Sequence, residues 1–163
     1  MPITAGTPLA ADTPLFIVLN TGSGSHRGNE VEDSIRRVLD EAERRYELFK
    51  VGSGSDLENA ARQALQRARS EGGAVIAAGG DGTLNAVSNV VLGADVPFGI
   101  LPQGTFNYFG RTYGISQDTE TATRCLLDSV VEPVQVGQLN GHVFLVNASL
   151  GLYPDLLEDR EAY

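Results

Sequence analysis

Short apolar runs alternate along this chain with stretches in which apolar residues recur every three or four positions. Leu15 to Leu19, Ala74 to Ala78 and Pro97 to Leu101 are the runs, and Tyr46 to Val51 reads as a fourth strand. Runs of this length without polar alternation suit parallel strands covered on both faces. Between them, Val31, Ile35, Val38, Leu39 and Ala42 share one side of a helix. Leu57, Ala60, Ala61, Ala64, Leu65 and Ala68 mark a second, with Asp56 as its N-cap and Gly72-Gly73 as its stop. Leu84, Val87, Val90 and Val91 mark a third that begins near Thr83. Thr119 to Ser129 predicts a further helix, in which Cys125 falls into the apolar pattern of Ala122 and Leu126 and reads as core.

After Ser129 the pattern changes. Val130 to Leu139 and Val143 to Ser149 read as strands, joined at Asn140-Gly141 by a type I′ hairpin turn. Strands alternating with helices predict an α/β fold over residues 14–129, a parallel sheet with helices on both faces and ligands beyond the carboxyl ends of the strands. Residues 130–163 open different architecture with a hairpin. Met1 to Thr13, rich in Pro, Thr, Ala and Gly, reads as a loose tail, and Asp155 to Tyr163 as a charged, frayed end. With little chain left to cover the apolar hairpin, self-association through it as a homodimer or larger species is expected.

Composition narrows the function. The chain has 163 residues, 42% of them hydrophobic, enough for one domain with a real core. Its net charge of −9 argues against nucleic acid as the main partner and against broad adsorption to anionic lipid. A single cysteine allows no internal disulfide, and the N-terminal stretch has neither the charge nor the apolar run of a signal peptide or membrane span, so the chain reads as cytoplasmic. His26 and His142 sit beside turn signals without partners for a Ser-His-Asp, Cys-His or zinc arrangement.

The chemistry gathers where strands end in glycine. Gly79-Gly80-Asp81-Gly82-Thr83 follows the Ala74 run and opens a helix, so its N–H groups make an anion site. It is not a Walker A loop, lacking Lys before Ser or Thr, and Asn85 stands where a dinucleotide fingerprint needs its third glycine. Asp81 would repel phosphate unless a cation lies between them or it serves a hydroxyl. The simpler reading is that Asp81 or Thr83 caps the helix. Asn20-Thr21-Gly22-Ser23-Gly24-Ser25 is a second loop of the same kind and Pro102 to Asn107 a third, and the fold brings all three to one edge.

These stretches resemble the catalytic domain of the diacylglycerol kinase and sphingosine kinase family, particularly its bacterial lipid kinases. Gly79 to Asn85 is similar to the family's nucleotide loop, Leu101-Pro102-Gln103-Gly104-Thr105-Phe106-Asn107-Tyr108-Phe109-Gly110-Arg111 to its second block, and Asn20 to Gly24 to its first loop. Asn140-Gly141 through Asn147 to Gly151 continues the match. Thr21, Ala86 and Tyr108 stand where the family commonly has proline, glutamate and aspartate. The glycine block alone is shared with NAD kinases, and the second block favours lipid kinase.

The resemblance implies that ATP phosphates lie over Gly79, Gly80, Asp81, Gly82 and Thr83, with help from Asn20, Ser23, Gly24, Asn85, Gly104 and Thr105, and with Gly52 and Ser53 bordering the nucleotide. Asp81 would place Mg2+ or the acceptor hydroxyl of a diacylglycerol-like lipid. It also implies a second β-rich domain, beyond the hairpin, that supplies the remaining metal ligands, the general base and much of the lipid pocket, with peripheral membrane contact made by the full-length protein. The alternatives are an NAD kinase relative and a nucleotide-binding module without catalysis.

Overall fold

The computed structural model describes residues 6–22 and 25–147. In chain order the elements are β1 (Thr7–Pro8), β2 (Leu15–Asn20), α1 (Ser25–Glu41), β3 (Tyr46–Val51), a 3-10 turn over Gly54–Asp56, α2 (Leu57–Glu71), β4 (Ala74–Gly79), α3 (Asp81–Val91), β5 (Phe98–Pro102), α4 (Tyr108–Thr112), α5 (Thr119–Leu127), β6 (Val130–Val131), β7 (Gly137–Leu139) and β8 (His142–Phe144).

Strands β3-β2-β4-β5, in that order, form one sheet in which every pair is parallel. Side chains alternate across it. Leu15, Ile17 and Leu19 of β2, with Ala74, Ile76 and Ala78 of β4, pack against Ile35 and Leu39 of α1 and Ala122 and Leu126 of α5. Phe16, Val18, Val75 and Ala77 face the other way, into α2 and α3. Both faces are therefore dry, which explains why β2 and β4 read as unbroken apolar runs. Strand β2 lies between β3 and β4, so the chain leaves the centre in one direction to β3 and returns to build β4 and β5 on the other side. The order reverses between β2 and β4, and a crevice forms outside the carboxyl ends of those two strands.

Several expectations are corrected at the margins. Cys125 is exposed, because the buried stripe of α5 runs through Ala122, Thr123 and Leu126 and leaves it to one side. Ala42 lies beyond the end of α1 and is exposed, while Arg44 is buried and donates from Nη1 to the carbonyl of Ala10 at 2.6 Å. Asp56 precedes α2 but makes no capping bond with its side chain. Residues 6–13, expected to be loose, are tied down: β1 pairs antiparallel with β6, and Leu9 N donates to Ser129 O at 2.8 Å.

The strand expected over Val130 to Leu139 is broken. Pro133 has no N–H to donate, β6 stops at Val131, and only Gly137–Leu139 pairs with His142–Phe144. Asn140 and Gly141 both have positive φ, 49° and 83°, as a type I′ turn requires. This hairpin lies against α3, where the Asn89 amide accepts from Val143 N at 2.7 Å and donates to Val143 O at 2.9 Å. Val143 is 2% exposed, so the hairpin's buried face is covered by its own chain. Ser149 and the expected frayed end, 155–163, lie outside the described residues. Among the described residues no helix is long and apolar enough to cross a membrane.

Candidate active site

Helix α3 starts directly from the end of β4, with Gly80 as its N-cap and no side chain capping it. Its first backbone bond runs from Leu84 N to Gly80 O, which leaves the N–H groups of Asp81, Gly82 and Thr83 as the open end of the helix. That end carries the positive pole of the helix dipole and faces the crevice at the strand reversal. Across the crevice, Asn20 at the tip of β2 donates from Nδ2 to Thr83 Oγ1 at 2.8 Å and accepts from Gly22 N at 3.0 Å. The two loops are thereby locked together by one asparagine. Gly52, after β3, approaches the first loop as well: a Cβ on Gly22 would sit 2.7 Å from Gly52 O.

Asp81 does not cap its own helix. Its carboxylate accepts from Tyr108 N at 3.1 Å and Phe109 N at 3.4 Å, the first amides of α4. Those amides point at Asp81 because Asn107 adopts the left-handed conformation, φ 50°, that turns the chain into α4. Asn107 is 4% exposed, accepts from Gly104 N and donates to Gly104 O, both at 2.8 Å, and donates to Gln117 Oε1 at 2.6 Å. In the sequence Asn107 stands in the third loop with no role of its own. Its signal was present, since asparagine is one of the few residues that enter the left-handed region and bond back to a turn.

The glycines divide by role. A Cβ on Gly79 would meet Thr83 at 2.5 Å, and one on Gly104 would meet Gly80 Cα at 2.7 Å, so these serve packing between the loops. At Gly82 a Cβ would meet nothing within 4 Å, and the residue is exposed. It is the position in the glycine loop where a ligand can approach the backbone.

The other expected residues are placed as follows. Thr105 is exposed on the loop after β5. Asn20, Gly104 and Thr105 line a cleft of about 550 Å³ that continues between α1 and α5, while Gly52 and Ser53 lie outside it. Gln103 also lines this cleft; its Oε1 accepts from Thr119 Oγ1 at 3.1 Å and its buried Nε2 has no partner. Ser53 Oγ is used locally, accepting from Ser55 N at 3.4 Å. Asn85 faces the hairpin and accepts from Leu145 N at 3.2 Å. Ser23 and Gly24 lie outside the described residues. His142 is exposed on β8.

Among the described residues no three His, Cys, Asp or Glu side chains gather as a metal cage. Magnesium needs no such cage when a substrate brings phosphate oxygens, and one carboxylate with several retained waters is an ordinary protein contribution. Asp81 fits that part: its two N–H partners leave carboxylate lone pairs free.

The diacylglycerol kinase catalytic domain model matches residues 14–139, a stretch that contains the whole parallel sheet and the loops at its carboxyl edge. The chain belongs to that family. It is 37% identical over 107 residues to a diacylglycerol kinase of Bacillus subtilis, covering 64% of this chain and 34% of that protein. A diacylglycerol kinase of Staphylococcus epidermidis is 32% identical over 139 residues, 83% of this chain and 42% of its own length. The crystal structure of a diacylglycerol kinase from Bacillus anthracis superposes with a TM-score of 0.68 at 29% identity, covering 82% of this chain and 46% of that one. This diacylglycerol kinase-family chain thus spans less than half the length of these relatives.

Proposed function

We propose that this chain is the nucleotide-binding part of a lipid kinase that transfers the γ-phosphate of ATP to the hydroxyl of a diacylglycerol-like lipid. The observation that carries the reading is Asp81. A carboxylate held by two amides of α4 stands at the open, positive end of α3, beside an exposed Gly82. Phosphoryl transfer asks mainly for positioning and for stabilisation of charge on the transferred group. The N–H groups of Asp81, Gly82 and Thr83 take phosphate oxygens, and Thr83, with its hydroxyl oriented by Asn20, adds a donor. Asp81 accepts a hydrogen bond from the lipid hydroxyl or from water on magnesium. Magnesium, when bound with ATP, neutralises phosphate charge and orients the terminal group.

In this reading the 163 residues bind nucleotide weakly and do not turn over alone, because relatives devote more than half of their length to structure outside the matched region. The test is transfer of labelled γ-phosphate from ATP to diacylglycerol in mixed micelles, by protein extended to the length of the relatives. Labelled lipid that falls by orders of magnitude in Asp81→Asn supports the proposal. Bound ATP without labelled lipid would leave a nucleotide-binding module in its place.

A further inference from the structure

Phe106 and Tyr108 flank Asn107 on the loop that positions Asp81, and both rings stand in solvent, 62% and 53% exposed. They stack on each other with centroids 5.4 Å apart and planes within 1°. Two large aromatic side chains thus form one flat apolar plate at the carboxyl edge of the sheet. The plate is held rigidly, since the residue between them is buried and bonded to Gly104 and Gln117, and the Tyr108 amide is bonded to Asp81. A loop fixed this firmly could have turned its aromatics inward, as it does with Phe109, which is 7% exposed.

Charge singles out the same segment. The chain carries 21 Asp and Glu, yet none lies between Val96 and Gln117. Within that span the one ionised side chain is Arg111, exposed and one helical turn from Tyr108 on α4. An acidic protein is repelled by an anionic membrane unless it approaches through a surface poor in acid. The acid beside this segment is Asp81, whose carboxylate is met by the Tyr108 and Phe109 amides. Phenylalanine and tyrosine suit the boundary between headgroups and acyl chains, and arginine suits a lipid phosphate.

We propose that the Phe106–Tyr108 plate, with Arg111 beside it, is the surface through which this protein meets a lipid bilayer. This rests on the reading that the acceptor is a lipid: a bilayer seated on the plate presents its hydroxyl-bearing molecules next to Asp81. The rings enter the interface, Arg111 pairs with headgroup phosphate, and the acidic remainder of the protein faces water.

The chain contains no tryptophan, so Phe106→Trp gives a single reporter in the plate. Leu92→Trp supplies a control, because Leu92 is 51% exposed at the end of α3 and therefore at the opposite edge of the sheet. With vesicles of phosphatidylcholine and phosphatidylglycerol, the Phe106→Trp emission shifts to the blue and the Leu92→Trp emission does not. In co-sedimentation, Tyr108→Ser, checked for an unchanged melting profile, partitions about tenfold less, as expected when one large side chain no longer leaves water. No shift at position 106 overturns the proposal, as does an equal shift at position 92. A shift produced by ATP without vesicles would make the plate a nucleobase platform, and one that grows with protein concentration alone would make it a contact between copies; either overturns it. ATP-induced amide shifts at the start of α3 are read separately, so the lipid-surface proposal can fail while the nucleotide site stands.

Discussion

The carboxylate of Asp81 accepts the backbone N–H of Tyr108 at 3.1 Å, joining two loops that lie 27 residues apart. One side chain thereby fixes the distance between the open end of α3 and the loop after β5. The charge that would repel phosphate is partly met by the N–H groups of α4, so Asp81 can stand in an anion site with its remaining lone pairs available. Displacing either loop displaces the other.

Asn107 should therefore matter more than its absence from the expected site suggests. Asn107→Ala removes the two bonds to Gly104 and the one to Gln117 and leaves a left-handed backbone without its customary residue. A loss of about 2–3 kcal/mol is expected, from unsatisfied buried groups and backbone strain together. Asn107→Gly relieves the strain but not the lost bonds, and should fall between alanine and the native residue in urea unfolding. Alanine and glycine variants of native stability would show that the turn forms without the side chain.

The hairpin gives a second prediction. Asn89→Ala removes both side-chain bonds to Val143 and frees β8 from α3. Amide exchange at Val143 and Leu145 should accelerate by about ten- to a hundredfold, the range of a local opening rather than global unfolding. Light scattering should show the native chain largely monomeric and the variant more associated, because the uncovered strand becomes an open edge. A native chain that already associates at low concentration, with Val143 unprotected, would contradict the packing of the hairpin.

Acid should loosen the contact between α1 and α5. Glu120 accepts two bonds from Arg37, at 3.2 and 2.7 Å, and two from Arg124, at 3.3 and 3.0 Å, and Arg124 also reaches Glu41 at 2.9 Å. Hydrogen bonds from Arg37, and then from Arg124, lower its pKa from an ordinary 4.5 to about 2. The unfolded chain takes up this proton first, so the stabilisation is complete above about pH 4.5 and is lost as pH falls toward 2. The effect is small because the groups are exposed, and salt weakens it. Carbon-detected titration of the Glu120 carboxyl should give a midpoint well below 4, and an ordinary midpoint would remove the clamp.

Much of the sheet could be read from the residues. Leu15 to Leu19 and Ala74 to Ala78 show no alternation because both of their faces are covered, and the four strands lie within a residue of where the pattern puts them. Less could be read where tertiary contacts decide. Val130 pairs with Pro8, a partner 122 residues away that no local pattern announces. The glycines of the loop after β4 look alike in sequence, yet Gly79 is required by Thr83 and only Gly82 is open. The partner of Asp81 was hidden for the same reason: a short acidic side chain at a helix start suggests a cap, and which helix it caps depends on how two loops meet. Asn85 looked like part of the loop because of its spacing, while its amide oxygen belongs to Leu145.

The central claim is that the open end of α3, with the loop after β5 fixed to it through Asp81, receives the phosphates of ATP. Amide NMR of the 163-residue chain during titration with ATP and magnesium tests it most directly. Shifts are expected at Gly80, Gly82, Thr83 and Thr105, growing through the millimolar range and diminished when magnesium is chelated. Shifts confined to α2, or none at these four amides while ATP is bound, would contradict it.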